Sequence, residues 1–312
     1  MEEQFDKGAL LDRNSLRSLL VRQDFPSRVR LTLHWLAFIA LLIATTGYAS
    51  NVFVAFPLCL ALGWVWCTLF APFHESTHGS AFSRAGANRV AAWFTSFPFL
   101  MAPSVYRTFH FEHHRHTQDP ELDPELLGKP SSAQNPVTRQ DWLNLVSGIA
   151  MIRAKLQLVW FFSFTPQAQW PQAIPWSTHC KNPGGMAQEC RLLLGAWLVV
   201  GFSVLLGLPG SLWIVLAWWS SHVFLMLWIS AEHTGLPNTG SIVARTRTVG
   251  SNRFVRWWLW NMNFHAEHHA WPGMPWHNLP AANAAIASRL EATSPNYTRF
   301  HRDAAAGDLA VK

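Results

Sequence analysis

The sequence predicts an all-α integral membrane protein with four transmembrane helices in two hairpins and a cytoplasmic helical cap. Three observations lead to this fold class. Hydrophobic residues make up 50% of the 312 residues and charged residues only 13%, whereas a soluble domain carries about 25% charged residues. Two long segments, 31–71 and 192–230, contain no Asp, Glu, Lys or Arg. Three histidine clusters, which begin at His74, His110 and His265, lie outside those segments.

The uncharged segments predict the spanning helices. They contain 41 and 39 residues, and a helix needs about 20 apolar residues to cross the hydrocarbon core. Each segment is therefore long enough for two helices and a turn. We predict spans at about 31–49, 52–71, 191–208 and 211–230. Ser-Asn at 50–51 and Leu-Pro-Gly-Ser at 208–211 indicate the two turns.

The charge distribution predicts the topology. All 24 Lys and Arg lie outside the uncharged segments, and six of them are in the first 30 residues, so the positive-inside rule places both termini in the cytoplasm. Two hairpins return the chain to its starting side each time. We therefore predict a cytoplasmic N-terminal segment (1–30) and one membrane domain (31–301) whose cytoplasmic regions are 72–190 and 231–301. The end of the chain (302–312) is predicted as a polar tail.

Shorter elements are predicted between the hairpins. Residues 90–101 are apolar but too few to cross a membrane, so we expect them at the interface. Residues 141–164 mix apolar side chains with Arg153 and Lys155, which favours an interfacial helix, with a spanning arrangement as the alternative. Residues 165–190 are rich in Pro, Gln, Trp and Gly and are predicted as a loop.

The histidine clusters predict a dimetal site in the cytoplasmic cap. Their spacings of i, i+3 and i+4 place imidazoles on one helix face, where several nitrogens can converge on a metal ion. A ninth candidate, His233, stands where the fourth span ends. Nine imidazoles are too many for one ion and suit two. The candidate ligands are His74, His78, His110, His113, His114, His233, His265, His268 and His269.

The remaining polar residues near the clusters receive supporting roles. We expect Glu75, Glu112, Glu232 and Glu267, which adjoin these histidines in sequence, to accept hydrogen bonds from imidazole N–H groups. The other six histidines are expected to have packing, hydrogen-bonding or interfacial roles, with His116 the strongest candidate for an exception. These six are His34, His116, His179, His222, His277 and His301.

The sequence disfavours three other function classes: a zinc protease, an ion transporter and a nucleic-acid-binding protein. Residues 74–78 fit HExxH, the zinc protease helix in which the glutamate (here Glu75) is the general base, but a protease gives no reason for two further clusters. An ion transporter needs a chain of ionisable residues through its spans, and no such chain runs through the uncharged segments. The net charge of +6 is explained by basic residues that flank the membrane, and no nucleic-acid recognition motif is present.

The clusters resemble those of the membrane fatty acid desaturase superfamily, which also includes acyl hydroxylases and carotenoid ketolases and hydroxylases. The resemblance is carried by His-Glu-Ser-Thr-His-Gly at 74–79, by Phe-His-Phe-Glu-His-His-Arg-His-Thr at 109–117 with Asp-Pro-Glu after it, and by Asn-Phe-His-Ala-Glu-His-His at 263–269 with Trp-Pro-Gly-Met-Pro-Trp at 271–276. It covers roughly residues 30–290. It is specific to the superfamily rather than to a substrate.

The resemblance implies a non-haem di-iron enzyme that uses O2 as co-substrate and abstracts hydrogen from an unactivated C–H bond. The nine histidines would bind the two iron ions. The third cluster starts with His265 and not with the Gln of front-end desaturases. Ile229 stands where some members have an Asn that holds a metal-bound water. No His-Pro-Gly-Gly haem-binding string is present, so electrons are expected from a separate ferredoxin or cytochrome b5-type protein.

The expected substrate is a long, lipid-like molecule, because the uncharged helices would border its entry route. Introduction of a double bond into a fatty acyl chain is the first expectation. Hydroxylation or ketone formation on a carotenoid, an isoprenoid or another apolar metabolite is the alternative, because a fold does not fix its substrate.

Overall fold

The computed structural model describes residues 10–127, 135 and 138–309, and this part of the chain is mostly helical. Two short strands, β1 (Thr248–Val249) and β2 (Thr293–Ser294), pair in parallel. The α-helices are α1 (Arg13–Leu19), α2 (Asp24–Gly47), α3 (Val52–Thr68), α4 (Phe70–His78), α5 (Ala85–Ser96), α6 (Pro103–His116), α7 (Arg139–Val146), α8 (Ile149–Phe164), α9 (Trp170–Ala173), α10 (Pro183–Leu205), α11 (Ser211–His233), α12 (Arg253–Trp258), α13 (His265–Ala270), α14 (Leu279–Ile286) and α15 (Tyr297–Ala306).

Four helical stretches of the described residues are long and apolar enough to cross a membrane. They are α2, α3 together with α4 (Val52–His78), α10 and α11, which confirms the all-α membrane fold class. Both predicted turns fall between these helices. The second stretch does not end near Ala71, as the hydropathy suggests, but continues to His78. The first histidine cluster is therefore an extension of a long apolar helix.

The long helices are not arranged simply as two separate pairs. α3 packs along α2 on one side and along α11 on the other, whereas α10 packs mainly on α8 and only lightly on α11. The contact between α3 and α11 is close, because Gly63 lies against Ser220 and the backbone carbonyl of Ala217. Small residues at such a contact let two backbones approach. α3 and α11 together form the centre of the helix assembly.

Residues 139–164 form two helices, α7 and α8, with a bend of 43° between them. The bend occurs at Gly148, whose φ of +74° suits glycine. A Cβ atom there would lie 2.9 Å from the backbone of His222 in α11, so this junction packs tightly on α11. By length and composition the pair could be one broken span or a re-entrant loop, which leaves both sequence-based alternatives open.

Two sequence expectations need correction at the level of elements. The segment 165–190, predicted as loop, contains α9, 3-10 turns at Gln167–Gln169 and Pro175–His179, and the first residues of α10. α10 starts early because Asn182 caps it by accepting the backbone N–H of Gly185. The predicted polar tail begins inside α15, where Ala304 is fully buried, because one face of this helix packs on α7 and α11.

Candidate metal centre

Two helices supply the first five histidines of the centre. His74 and His78 occupy the last turns of α4, which ends at Gly79 in the left-handed conformation. His110, His113 and His114 lie in the second half of α6. Because histidines three and four residues apart share one face of a helix, each helix presents its imidazoles to the other. The Nε2 atoms of His78 and His110 are 2.9 Å apart.

The other four histidines come from the second half of the chain. His233 is the last residue of α11, and His265, His268 and His269 lie on the short, completely buried helix α13. Asn263 anchors the start of α13 by donating a hydrogen bond of 2.8 Å to the carbonyl of Val249 in β1. The Nε2 atoms of His233 and His265 are 3.0 Å apart.

The nine histidines form two groups, within each of which one nitrogen atom per residue lies within 4.8 Å of all the others. The five-histidine group is His74, His78, His110, His114 and His268, and the four-histidine group is His113, His233, His265 and His269. The groups adjoin, since the rings of His114 and His269 stack with centroids 4.1 Å apart. Each group combines residues from both halves of the chain.

The nitrogen geometry of the five-histidine group fits a shared cation better than it fits hydrogen bonds. The Nε2 atom of His110 lies 2.9 Å from that of His78 and 3.0 Å from that of His114. One imidazole nitrogen offers either one proton or one lone pair, so it cannot satisfy two such contacts. Nitrogens bound about 2.1 Å from one ion at right angles would lie about 3.0 Å apart, whereas tetrahedral ones would lie about 3.4 Å apart.

Three imidazoles of the four-histidine group have their Nδ1 atoms fixed by hydrogen bonds. His233 Nδ1–H donates to the carbonyl of Arg245 at 3.1 Å. His113 Nδ1–H donates to both carboxylate oxygens of Asp123, at 3.0 and 3.1 Å. Thr117 uses its own proton on the carbonyl of His113, so it accepts from His269 Nδ1–H at 3.2 Å. In each ring the Nε2 lone pair is left to bind a metal.

Burial favours the neutral form of five cluster imidazoles on α6 and α13, which is the form that can act as a ligand. It lowers the pKa of the residues on α6 and α13 well below the ordinary imidazole value, and neighbouring imidazoles lower it further; these residues are His110, His114, His265, His268 and His269. A neutral imidazole offers a lone pair, whereas an imidazolium does not. Burial alone would raise the pKa of Asp123, but its interaction with His113 and the backbone N–H groups that it accepts lower the pKa overall.

The expectation that four glutamates orient cluster histidines is wrong for three of them in the described contacts. Glu75 accepts from the Ser80 hydroxyl and the Trp276 backbone. Glu112 pairs with Arg115 and His179, neither of which belongs to the groups, and Glu267 accepts from Thr248 and Asn283. Glu232 comes nearest to the expectation, because its carboxylate is 3.4 Å from His265 Nδ1, but the two atoms do not form a hydrogen bond. Adjacency in sequence misleads here because neighbouring helical residues point in different directions.

None of the other six histidines belongs to either group among the described residues. His222 donates from Nδ1 to the carbonyl of Trp218, and its Nε2 faces Lys155 Nζ at 3.2 Å. His301 contacts Trp142 and the carbonyl of Leu227. His116, the strongest candidate for an exception, lies 3.7 Å from Glu112. These contacts are structural, as the spacing of these histidines indicates.

Sequence reasoning missed Asp123 and Thr117, which contact the cluster histidines His113 and His269. Asp123 is 1% exposed and follows His113 by ten residues, too far for a helical pattern to relate them. The chain turns back after α6, where Gln118 adopts a left-handed φ of +64°. The acidic string Asp-Pro-Glu-Leu-Asp at 119–123, which closely follows the second cluster, could have suggested that one of its carboxylates supports the site. The partner histidine cannot be identified without the turn.

A family model described as fatty acid desaturase matches residues 51–301, a range that contains all nine cluster histidines. The chain belongs to the fatty acid desaturase family. Its membership agrees with the resemblance of the three clusters and with the four apolar helices. This desaturase-family chain is accordingly an enzyme of that family and a multi-pass integral membrane protein, and its histidine groups fit a metal site.

One relative of this desaturase-family chain is the human sphingolipid delta(4)-desaturase/C4-monooxygenase. The two are 24% identical over 224 residues, which make up 68% of this chain and 59% of the relative. The chain thus spans about three fifths of the length of the curated relative it matches. The relative's name joins a desaturase and a monooxygenase activity in one protein. Both activities in that name are changes made to a lipid.

Proposed function

We propose that this protein is an O2-dependent di-iron oxidoreductase that abstracts hydrogen from an unactivated C–H bond and introduces a double bond into a fatty acyl chain. The observation that carries the proposal is the assembly of nine buried histidines into adjoining groups of five and four. Neither group includes a carboxylate or a thiolate among the described residues. Imidazole ligands suit iron, and they also suit zinc and copper, so the metal has to be measured.

The proposed reaction uses the two histidine groups and a separate electron donor. The five-histidine and four-histidine groups would each hold one iron ion, and the bound metals would supply the activation of O2. Desaturation removes two hydrogen atoms from neighbouring carbons, while O2 takes up these atoms with two further electrons and two protons to give two waters. The second electron pair would come from a separate ferredoxin or cytochrome b5-type protein. The buried environment of the imidazoles excludes bulk water from the reacting groups.

A lipid-like substrate is supported by the family and by the four apolar helices that carry or adjoin the histidines. The second candidate function is hydroxylation or ketone formation on an acyl chain, a carotenoid, an isoprenoid or another apolar metabolite. It is favoured by the monooxygenase activity in the relative's name. Loss of a second hydrogen gives an alkene and return of oxygen gives an alcohol, with the same ligands in both cases.

We further propose that the termini and the metal centre face the cytoplasm.

The test compares lipid and pigment extracts by mass spectrometry from cells that express the wild type, His268→Ala or His116→Ala. His268 belongs to the five-histidine group, whereas His116 ends the same helix as His110 and lies outside both groups. We expect the wild type and His116→Ala to produce a lipid lighter by two hydrogens, and His268→Ala to produce none. A product heavier by one oxygen would favour the second candidate.

Purified protein separates this proposal from its competitors. We expect about two iron ions per chain by elemental analysis and O2 consumption that requires a reduced ferredoxin or cytochrome b5. A zinc content of one ion per chain with peptide cleavage would instead indicate the HExxH protease. Bound metal without O2 consumption in the presence of substrate and a reduced donor would indicate a metal-binding or transport protein. Either result would overturn the proposal.

A further inference from the structure

The two histidine groups differ in the hydrogen bonds that their imidazole Nδ1 atoms make. In the four-histidine group, three Nδ1 atoms hydrogen-bond to Asp123, Thr117 and the Arg245 carbonyl. In the five-histidine group, four Nδ1 atoms are buried and have no hydrogen-bond partner in the described part of the chain: those of His74, His110, His114 and His268. Hydrogen bonds to Nδ1 are therefore concentrated in the four-histidine group, where only His265 lacks one among the described residues.

Asp123 is the centre of the supporting network. Besides His113, its carboxylate accepts the backbone N–H of Gln118 at 2.8 Å and that of Glu125 at 2.9 Å. These contacts fix the orientation of the carboxylate. The Gln118 side chain then donates to the carbonyl of His233 at 2.7 Å. Asp123 therefore connects two ligands of the same group.

A second set of contacts closes the network. Arg245 accepts the His233 Nδ1–H on its carbonyl and donates from its guanidinium to the carbonyl of Thr117 at 2.8 Å. Thr117 in turn accepts from His269. Three of the four ligands in the four-histidine group are thus joined through residues 117–123 and Arg245. In the described part of the chain the Asp123 carboxylate accepts hydrogen bonds from His113, Gln118 and Glu125, none of which belongs to the five-histidine group.

We propose that Asp123 is a positioning residue for the metal of the four-histidine group alone, so that the two metals of the centre are held with separable affinities. The inference rests on the proposed dimetal function and deepens it. Loss of an outer hydrogen-bond partner typically weakens metal binding by about 10–100-fold. Loss of Asp123 should therefore weaken the binding of one metal by that factor and leave the other metal in place.

The experiment measures metal retention and not turnover. Iron-loaded wild type, Asp123→Asn and Asp119→Asn are dialysed against a graded series of a chelator, and the iron per chain is determined together with the Mössbauer spectrum. Asp119→Asn is the same substitution in the same turn, but in the described part of the chain the Asp119 carboxylate accepts only the backbone N–H groups of Glu121 and Leu122. We expect Asp123→Asn to lose about one of two irons at roughly 10–100-fold lower chelator concentration, with one spectral component lost.

A milder variant guards against misfolding, because Asp123 also holds backbone N–H groups. Thr117→Val removes the acceptor for His269 Nδ1–H at nearly constant volume and should release the same spectral component. Retention of both irons, or parallel loss of both, in Asp123→Asn and Thr117→Val would overturn the inference. Failure of the wild type to bind two metals would instead contradict the proposed function. The two failures are therefore distinguishable.

Discussion

At the scale of single residues, the role of a histidine follows from its spacing in the sequence and from the group that hydrogen-bonds to its Nδ1 atom. The cluster histidines are recognisable from the sequence because i, i+3 and i+4 spacing gives them a common direction. Asp123 could not be assigned from sequence, since its contact with His113 depends on the turn at Gln118. Glu75 is the opposite case: its HExxH spacing suggests a general base, but its carboxylate binds Ser80 and the Trp276 backbone.

Glu75→Gln provides the residue-scale prediction. Both hydrogen bonds of Glu75 converge on Oε2, while Oε1 has no hydrogen-bond partner among the described residues. A glutamine can place its carbonyl oxygen at the Oε2 position and keep both bonds. We therefore expect full O2-dependent turnover and a change in the free energy of unfolding below about 1 kcal/mol, measured by product analysis and thermal unfolding. A zinc protease would lose its general base and its activity.

At the scale of elements, the contact between α3 and α11 determines how the centre is assembled. α3 leads directly into α4, which carries His74 and His78, and α11 ends at His233. The separation of these two helices is therefore transmitted to ligands in both histidine groups. Gly63 is a point of close approach, where a Cβ atom would lie 3.0 Å from the Ala217 carbonyl and closer still to the Ser220 hydroxyl. Hydropathy alone cannot reveal this contact, since it gives the length of a helix and not its neighbour.

Gly63→Ala is expected to destabilise the protein by about 1–3 kcal/mol, because the added methyl group overpacks a contact that includes backbone. Iron retention should fall in parallel, since α3 leads into α4 with its two ligands and α11 ends at the ligand His233. Gly195→Ala in α10 is the matched control, because a Cβ atom there meets nothing within 4 Å, and helix propensity favours alanine. Thermal unfolding and iron content in detergent measure both effects. Equal behaviour of the two variants would contradict the importance of the α3–α11 approach.

At the scale of the whole molecule, the sequence could predict the four long helices, their turns and the ligand set, because each depends on a local pattern. It could not predict that α10 packs mainly on α8, that α15 occupies the start of the predicted tail, or how the nine histidines divide into five and four. These features depend on contacts between distant segments. The division of the histidines also bears on the topology, because each group contains residues that precede α10 in the chain and residues at or beyond the end of α11.

Because each histidine group contains residues from both halves of the chain, the number of membrane crossings between those halves is constrained, and with it the position of α7 and α8. α10 and α11 are two candidate crossings between His114 and His233, and two crossings return the chain to the same side. If α7 and α8 formed a further complete crossing, His114 and His233 would lie on opposite sides of the bilayer. The ring of His113, next to His114, is instead 4.8 Å from that of His233. We therefore expect α7 and α8 to enter the interface or the bilayer and leave on the side from which they came.

Labelling of single cysteines from either side of the membrane tests this arrangement. Gln140→Cys and Gln167→Cys place exposed thiols at the two ends of the α7–α8 pair, in a background that lacks the four free cysteines. We expect an impermeant maleimide to label both from the side on which Asn14→Cys reacts, because the number of crossings between them is even. Asn51→Cys, in the turn between α2 and α3, should react from the opposite side. Labelling of Gln140→Cys and Gln167→Cys from opposite sides would establish a fifth crossing and would be incompatible with histidine groups built from both halves of the chain.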